Sequence, residues 1–275
     1  MRFDIVTIFP GFFASPLSES LLGRAIDGGL LEVRLVDLRA FSDDPHRKVD
    51  DEPYGGGPGM VLAAPPVFAA VEALRAEPPP PHVVFLSPQG RRLDAAVARE
   101  LAGRQRLALV CGRYEGIDER AREAGLFDEE LSLGDFVLSG GEVAALAVLE
   151  AVSRFVPGVV GDAGSVTADS FEEGLLDHPH YTRPREFRGL PVPEVLFSGH
   201  HEKIRRFRRE RQLQETARRR PDLLQKFTPK SDEDRRILAR VAGDLAEAIS
   251  AASPDAASTN PDLAEAISAV PKVPQ

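Results

Sequence analysis

The sequence predicts an α/β protein: a mostly parallel sheet followed by a small all-α carboxy-terminal domain. Up to about Phe155, short apolar runs alternate with amphipathic stretches, the βαβ pattern of a parallel sheet. Beyond Leu175 the chain reads as helical and highly charged. Between them lies "VPGVVGDAGSVTADSFEEG", rich in Gly, Ser, Asp and Thr, a loop long enough to be either functional or disordered.

The elements follow in order. "FDIVTIF" reads as a strand; the amino terminus has an acid inside its apolar run and no small-residue cleavage site, so it is not a signal peptide. "PLSESLLGRAIDGG" reads as one helix with Pro16 near its start and glycines at its end. "LEVRLVDL" alternates as a strand does, and "PPVFAAVEALRA" is a helix opened by proline. "HVVFL" and "RLALV" are continuously apolar, as strands covered on both faces are, and "RRLDAAVARELAG" between them is a helix ending at Gly103. "FVLSGG" reads as a buried strand. Ser139 and Glu142 then form an S-x-x-E capping box for the helix "VAALAVLEAVSRF", whose apolar circumference implies burial in the fold or against a partner subunit.

This gives a first domain over residues 1–160, a linker over 161–175, a helical domain over 176–252 and a tail over 253–275. In the tail "DLAEAIS", seen first at Asp244, recurs at Asp262 after a Ser/Ala/Pro/Asn-rich spacer; two copies are too few for a solenoid, and the tail is expected to be mobile and without catalytic purpose.

Composition narrows the function. No apolar run approaches the roughly 18 residues of a membrane span. Cys111 is the only cysteine, so no internal disulfide can form, which suits a reducing cytoplasm. The net charge of −9 argues against a nucleic-acid binder, but its distribution matters more than its sum. Glu202 to Arg220 carry nine Lys/Arg against three Glu. Read as a helix, this run packs through Ile204 and Phe207 and leaves its arginines as a solvated flank. The excess of positive charge points to phosphate contact beyond an ordinary charged face.

Three Gly/Pro-rich turns follow apolar runs: "LSPQG", "CGRYEG" and "LSLGDFVLSGGE". Ligands of open parallel sheets bind beyond the carboxyl ends of the strands, so three such turns suggest one pocket lined by backbone. Gly140 and Gly141 are also explained by a tight strand-to-helix turn alone. The chain has neither a P-loop nor a G-x-G-x-x-G fingerprint after a strand. His178, His180, His200 and His201 cluster near acids, but match no structural zinc spacing and have no cysteine beside them, so no metal site is expected.

Seven segments in order, "VDDEPYGGGPGM", "LSPQGRRLD", "LVCGRYEGIDER", "LGDFVLSGGE", "SRFVPGVVG", "ADSFEEGLLDHPHYTRP" and "LFSGHHEKIRRFR", resemble the successive motifs of the bacterial tRNA (guanine-N1)-methyltransferases, from the first strand to about Leu224. The resemblance implies a homodimer of the SPOUT class, with a trefoil-knotted crevice for S-adenosylmethionine. It also implies methylation of N1 of guanosine 37 in tRNA, with magnesium assistance for which no ligands can be named. Cofactor contacts are then expected from Leu86, Ser87, Pro88, Gly112, Tyr114, Glu115, Gly116, Leu133, Gly134, Asp135, Phe136, Val137, Leu138, Gly140 and Gly141. Phe136 stands where the family often has Tyr, which loses a hydroxyl and keeps the apolar surface.

Guanine N1 is a poor nucleophile until its proton leaves, and charge then builds on O6, so a carboxylate and a cation are needed. Asp169 matches the family's base and Arg154 the group that stabilises O6. Read without the resemblance, Asp169 is an Asx-turn or helix cap and Arg154 a cation at a helix carboxyl end. The helical domain is expected to grip tRNA through Arg183, Lys203, Arg205, Arg206, Arg208 and Arg209. The alternatives are a SPOUT methyltransferase of another RNA and an RNA-binding relative without catalysis.

Overall fold

In the computed structural model, residues 1–161 and 169–251 are described, without the side chains of 244–251. The chain divides into two compact units, Met1–Val166 and Thr167–Gln275. The tail over 253–275, the second "DLAEAIS" and residues 162–168 of the loop lie outside the described residues.

In chain order the first unit contains β1 (Arg2–Thr7), α1 (Ala14–Ser18), α2 (Ser20–Asp27), β2 (Glu32–Asp37), β3 (Asp50–Asp51), β4 (Val61–Leu62), α3 (Ala64–Ala76), β5 (His82–Arg92), α4 (Ala95–Ala102), β6 (Arg106–Cys111), α5 (Arg120–Glu123), β7 (Glu129–Ser132) and α6 (Glu142–Ser153). Five strands form one sheet in the order β2-β1-β6-β5-β7, every pair parallel. Its two faces are both covered, which is why the strands read as unbroken apolar runs. On β6, Leu107, Leu109 and Cys111 enter the core shared with α2, α4 and α6, while Ala108 and Val110 enter the core under α3 and α5.

Local chemistry sets the ends of several elements. Asp94 caps α4, its carboxylate accepting the Val97 amide at 2.9 Å. The helix expected to begin at Arg91 therefore begins at Ala95, and Arg91 and Arg92 pair with β7 instead. The helix expected across "PLSESLLGRAIDGG" is two: Glu19 is extended, Ser20 has φ of 57°, and the chain restarts as α2. At the amino ends of the strands, buried Asp4 accepts from Arg34 and Arg106, each at 2.6 Å. Glu77 joins the same guanidiniums, and the Arg34 hydrogen bond chiefly holds its carboxyl down to about 2.

Among the described residues of the second unit, 169–200 run through turns, a short hairpin of β8 (Glu186–Phe187) with β9 (Leu190–Pro191) and a 3-10 turn over Glu194–Phe197, and the unit is mainly helical from His201 on. Its helices are α7 (His201–Arg219), α8 (Pro221–Lys226) and α9 (Asp232–Ala251). Its core holds Leu175, Leu213, Ala217, Leu224, Phe227, Ile237, Leu238 and Val241. The packing stripe of α7 is thus Leu213, Thr216 and Ala217; Ile204 and Phe207, the pair expected from spacing, are only half-buried, with Arg211 over the Phe207 ring. The arginines are not all a solvated flank either. Arg209 is half-buried and makes a two-pronged contact with Asp234 at 2.8 and 2.9 Å, drawing the Asp234 carboxyl below its usual range. Among the described residues, no helix is long and apolar enough to cross a membrane.

Candidate functional site

The three turns singled out in the sequence meet at the carboxyl ends of β5, β6 and β7. At Leu86 the pairing of β5 with β7 breaks, and Ser87 to Gly90 bulge out before pairing resumes at Arg91. Gly90 is obligatory there, since a Cβ would lie 2.4 Å from the Glu130 backbone carbonyl carbon. After β6 the chain turns through Gly112 to Gly116, with Tyr114 at φ of 60°, a left-handed conformation that costs a residue with a side chain. Burial and the Asp50 carboxylate push the Tyr114 phenol up; its hydroxyl lies 3.4 Å from Asp50 Oδ1.

The third turn departs from expectation. β7 ends at Ser132, whose hydroxyl binds the Gly134 amide, and Gly134 at φ of 150° turns the chain out of the sheet. "FVLSGG" is therefore not a buried strand: Phe136 and Val137 are 54% and 84% exposed. Nor does the capping box form. Gly141 caps α6 without a side-chain bond, and Glu142, 1% exposed, is held by Thr7 Oγ1 at 2.8 Å and Arg113 Nε at 3.0 Å. A buried carboxylate takes a guanidinium in preference to an exposed backbone amide, because the charge-assisted bond offsets its desolvation. Arg113 also donates to the Ser139 carbonyl and lies 4.6 Å over the Phe9 ring. The two loops are so close that a Cβ on Gly141 would lie 2.7 Å from Cys111 Cα. The Gly141 amide donates to the Gly112 carbonyl at 2.8 Å. The strand-to-helix turn and the pocket wall are thus the same feature.

The cavity so enclosed holds about 500 Å³. Of the fifteen residues expected around a cofactor, thirteen line it: Leu86, Ser87, Pro88, Gly112, Tyr114, Glu115, Gly116, Leu133, Phe136, Val137, Leu138, Gly140 and Gly141. Gly134 and Asp135 do not. Sequence reasoning missed Arg113, Glu119 and Arg122, three of the four charged members of the lining. Arg113 and Glu119 stood inside the quoted "GRYEGIDER", where the glycines drew attention from them. The lining offers apolar walls, backbone amides and carbonyls at the glycines, and the carboxylate of Glu115, while Glu119 is paired with Arg122 at 2.7 Å.

Arg154 is the C-cap of α6, half-buried in the first unit. Asp169 belongs to the second unit, in a turn where its carbonyl accepts the Glu172 amide and Phe171 has φ of 76°; no helix begins there. Asp169 borders a cavity of about 370 Å³ together with Asp177, Arg205, Arg208, Arg209 and Lys230. Of the residues expected to hold RNA, Arg205 pairs with Glu202 and Glu233, Arg206 with Glu233, and Arg209 with Asp234 and Glu173. Lys203, Arg183 and Arg208 have no ion pair among the described residues. Asp177, His178 and His180 bring their donor atoms within 4.8 Å of one another, closer than their spacing suggested. His180 Nε2 lies 2.8 Å from Asp177 Oδ2.

Comparison with known proteins bears on the chain as a whole. Residues 1–226 match the family model described as tRNA (Guanine-1)-methyltransferase TrmD. A tRNA (guanine-N(1)-)-methyltransferase of Geobacter metallireducens is 53% identical over 238 residues, which is 86% of this chain and 97% of that relative. Its counterpart in Moorella thermoacetica is 52% identical over 244 residues, 88% and 97% of the two chains. The crystal structure of tRNA (m1G37) methyltransferase from Aquifex aeolicus aligns with a TM-score of 0.67 at 42% identity, covering 82% of this chain and 95% of that one. The chain belongs to the tRNA (guanine-N1)-methyltransferase family.

Proposed function

We propose that the protein transfers a methyl group from S-adenosylmethionine to N1 of guanosine 37 in tRNA, in the cytoplasm, as a homodimer. The observation that carries this is the single cavity formed by the three glycine-bearing turns at the ends of β5, β6 and β7. Its chemistry fits the cofactor. Apolar and backbone groups from Leu86 to Pro88 and from Leu138 to Gly141 suit an adenosine, and the Glu115 carboxylate, without an ion pair among the described residues, suits a positive charge of the cofactor. When bound, S-adenosylmethionine supplies an electrophilic methyl group.

The protein's part is orientation and proton transfer. Asp169 accepts the proton from guanine N1, which frees the nitrogen lone pair for attack on carbon. Arg154 counters the charge that then builds on O6. Magnesium assistance belongs to the same reading, and no residue is assigned to it.

Dimerisation is supported by surface the described chain leaves bare. Phe9, Val137, Leu138 and Val143 of α6 are exposed near the pocket loops, and Phe12 is exposed as well. The trefoil knot is carried over from the SPOUT class; the return of Gly140 and Gly141 against Arg113 and Gly112 is in keeping with it. The lone buried Cys111 suits a reducing compartment.

The test is transfer of labelled methyl from S-adenosylmethionine to two tRNA transcripts that differ only at position 37, guanosine against adenosine, with product nucleosides identified by mass. N1-methylguanosine from the guanosine transcript alone is expected. Methylation of both would mean a wrong target base. Cofactor binding without any methylation would favour a non-catalytic RNA-binding protein.

A further inference from the structure

The helical unit holds another cavity, of about 400 Å³, beside the "DHPHYTRP" segment and the early turns of α7. Three guanidiniums border it, those of Arg183, Arg185 and Arg208, and no Asp or Glu does. Six other arginines of the unit are neutralised: Arg205, Arg206, Arg209, Arg218, Arg219 and Arg220 each meet a carboxylate at 2.6 to 2.9 Å. Among the described residues, none of the three at this cavity has an ion pair. Arg188, Arg211 and Arg236 also have no ion pair among the described residues, but they do not gather in one cavity as these three do. Positive charge gathered in a concavity without a carboxylate is a site for an anion.

Flat faces accompany the charge. Tyr181 and Phe197 line the cavity and are nearly half exposed. The Arg185 guanidinium lies 4.5 Å over the Phe197 ring, and such a guanidinium plane is itself a platform on which a base can stack. An acidic peptide or a free phosphate would use the arginines and leave the rings idle. A nucleotide uses both. It must be unpaired, because in a duplex the faces of its base are covered.

We infer that this cavity takes one unpaired nucleotide of the RNA substrate. Its base lies against Tyr181 and the Arg185–Phe197 pair, and its phosphate lies on Arg183 and Arg208. This rests on the proposed tRNA activity for the identity of the RNA, and on the cavity alone for the mode of binding.

The experiment uses the full chain with S-adenosylhomocysteine and a fluorescent tRNA transcript, and reads the dissociation constant by anisotropy. Tyr181→Ala is expected to weaken binding about 10-fold, the usual scale for loss of one stacking face, and Tyr181→Phe to stay within about twofold of wild type. A second series replaces each loop nucleotide of the transcript in turn with an abasic residue, which leaves the protein untouched. One position is expected to weaken wild type about as much as Tyr181→Ala does, and to add little to that variant. Three results overturn the inference: unchanged binding by Tyr181→Ala, equal loss in Tyr181→Phe, or abasic penalties that all add in full to Tyr181→Ala. Unchanged binding would leave the cavity to an acidic protein partner. Methyl transfer by wild type is scored separately. No transfer with the coupling intact removes the activity and keeps the cavity; transfer without coupling does the reverse.

Discussion

The two units build their cavities from different materials. In the first much of the wall is backbone: turns at Ser87–Gln89, Gly112–Gly116 and Phe136–Gly141 present main-chain groups to the cavity, and Glu142 stands behind and holds Arg113 of the lining. In the second the walls are side chains: one cavity sets Arg205, Arg208, Arg209 and Lys230 among five carboxylates, and the other sets three arginines beside aromatic and apolar groups. A backbone wall is rigid and intolerant, because a single added methyl meets another main chain. A wall of arginines is tolerant residue by residue and sensitive to salt, because each guanidinium contributes a screened, additive charge.

The largest test of that contrast is on the reaction itself. Asp169→Asn is expected to lower kcat by about 10² to 10⁴ while S-adenosylmethionine binding, read by calorimetry, stays as in wild type. Equal rates would remove Asp169 from the mechanism, and lost cofactor affinity would make it part of the binding wall.

Gly141→Ala comes next. Its Cβ would press on Cys111 Cα at 2.7 Å, so one of the two loops must move. An overpacking cost of about 1–3 kcal/mol translates into roughly 5- to 150-fold weaker cofactor binding. Wild-type affinity in this variant would show that the wall yields and the contrast is overstated.

In the second unit Arg209→Ala should cost about 2 kcal/mol of stability, because it strands the nearly buried Asp234 carboxylate. Urea denaturation with an unchanged midpoint would reclassify Arg209 as a free, RNA-facing charge. A smaller effect separates Lys203 from Arg206. Lys203→Ala should flatten the salt dependence of tRNA binding by a slope of about 0.7 to 0.9, one phosphate's worth, and Arg206→Ala by less, since Glu233 already holds Arg206 at 2.6 Å. Equal slopes would mean that Glu233 releases Arg206 to the RNA.

The smallest effect is acid sensitivity. Both Glu77 in the first unit and Asp234 in the second are depressed by arginine, so each favours the folded state fully above its ordinary value and loses that contribution as pH falls through its lowered one. For Glu77 the window runs from 4.5 down to about 2, and for Asp234 it opens below 3.8. The melting temperature of wild type should therefore decline below about pH 4.5. Glu77→Gln should decline less over that range, and matching curves would show that Glu77 is screened by solvent.

Legibility differed with the same contrast. "LSPQG" and "CGRYEG" were readable as pocket turns because Gly and Pro at a strand's end mark where the backbone must turn sharply. "FVLSGG" misled because an apolar run is read as burial, and the run is exposed in the described chain. Glu142 misled because spacing offers it a cap at Ser139, while the fold brings Thr7, distant in sequence, within hydrogen-bond reach. The arginines of α7 read as one basic face, yet Arg205, Arg218 and Arg219 pair with glutamates of the same helix, and the packing of α9 against α7 pairs Arg206 and Arg209.

By itself the sequence determined the α/β class, most strands and helices, the helical charged second unit, and the turns that wall the first cavity. These depend on periodicity, on capping and on glycine, which act over a few residues. The tertiary structure alone decided where β7 ends, which carboxylate holds Arg113, and which guanidiniums of the helical unit remain uncompensated. Those outcomes depend on desolvation and on partners brought together across the chain, and no local pattern encodes them.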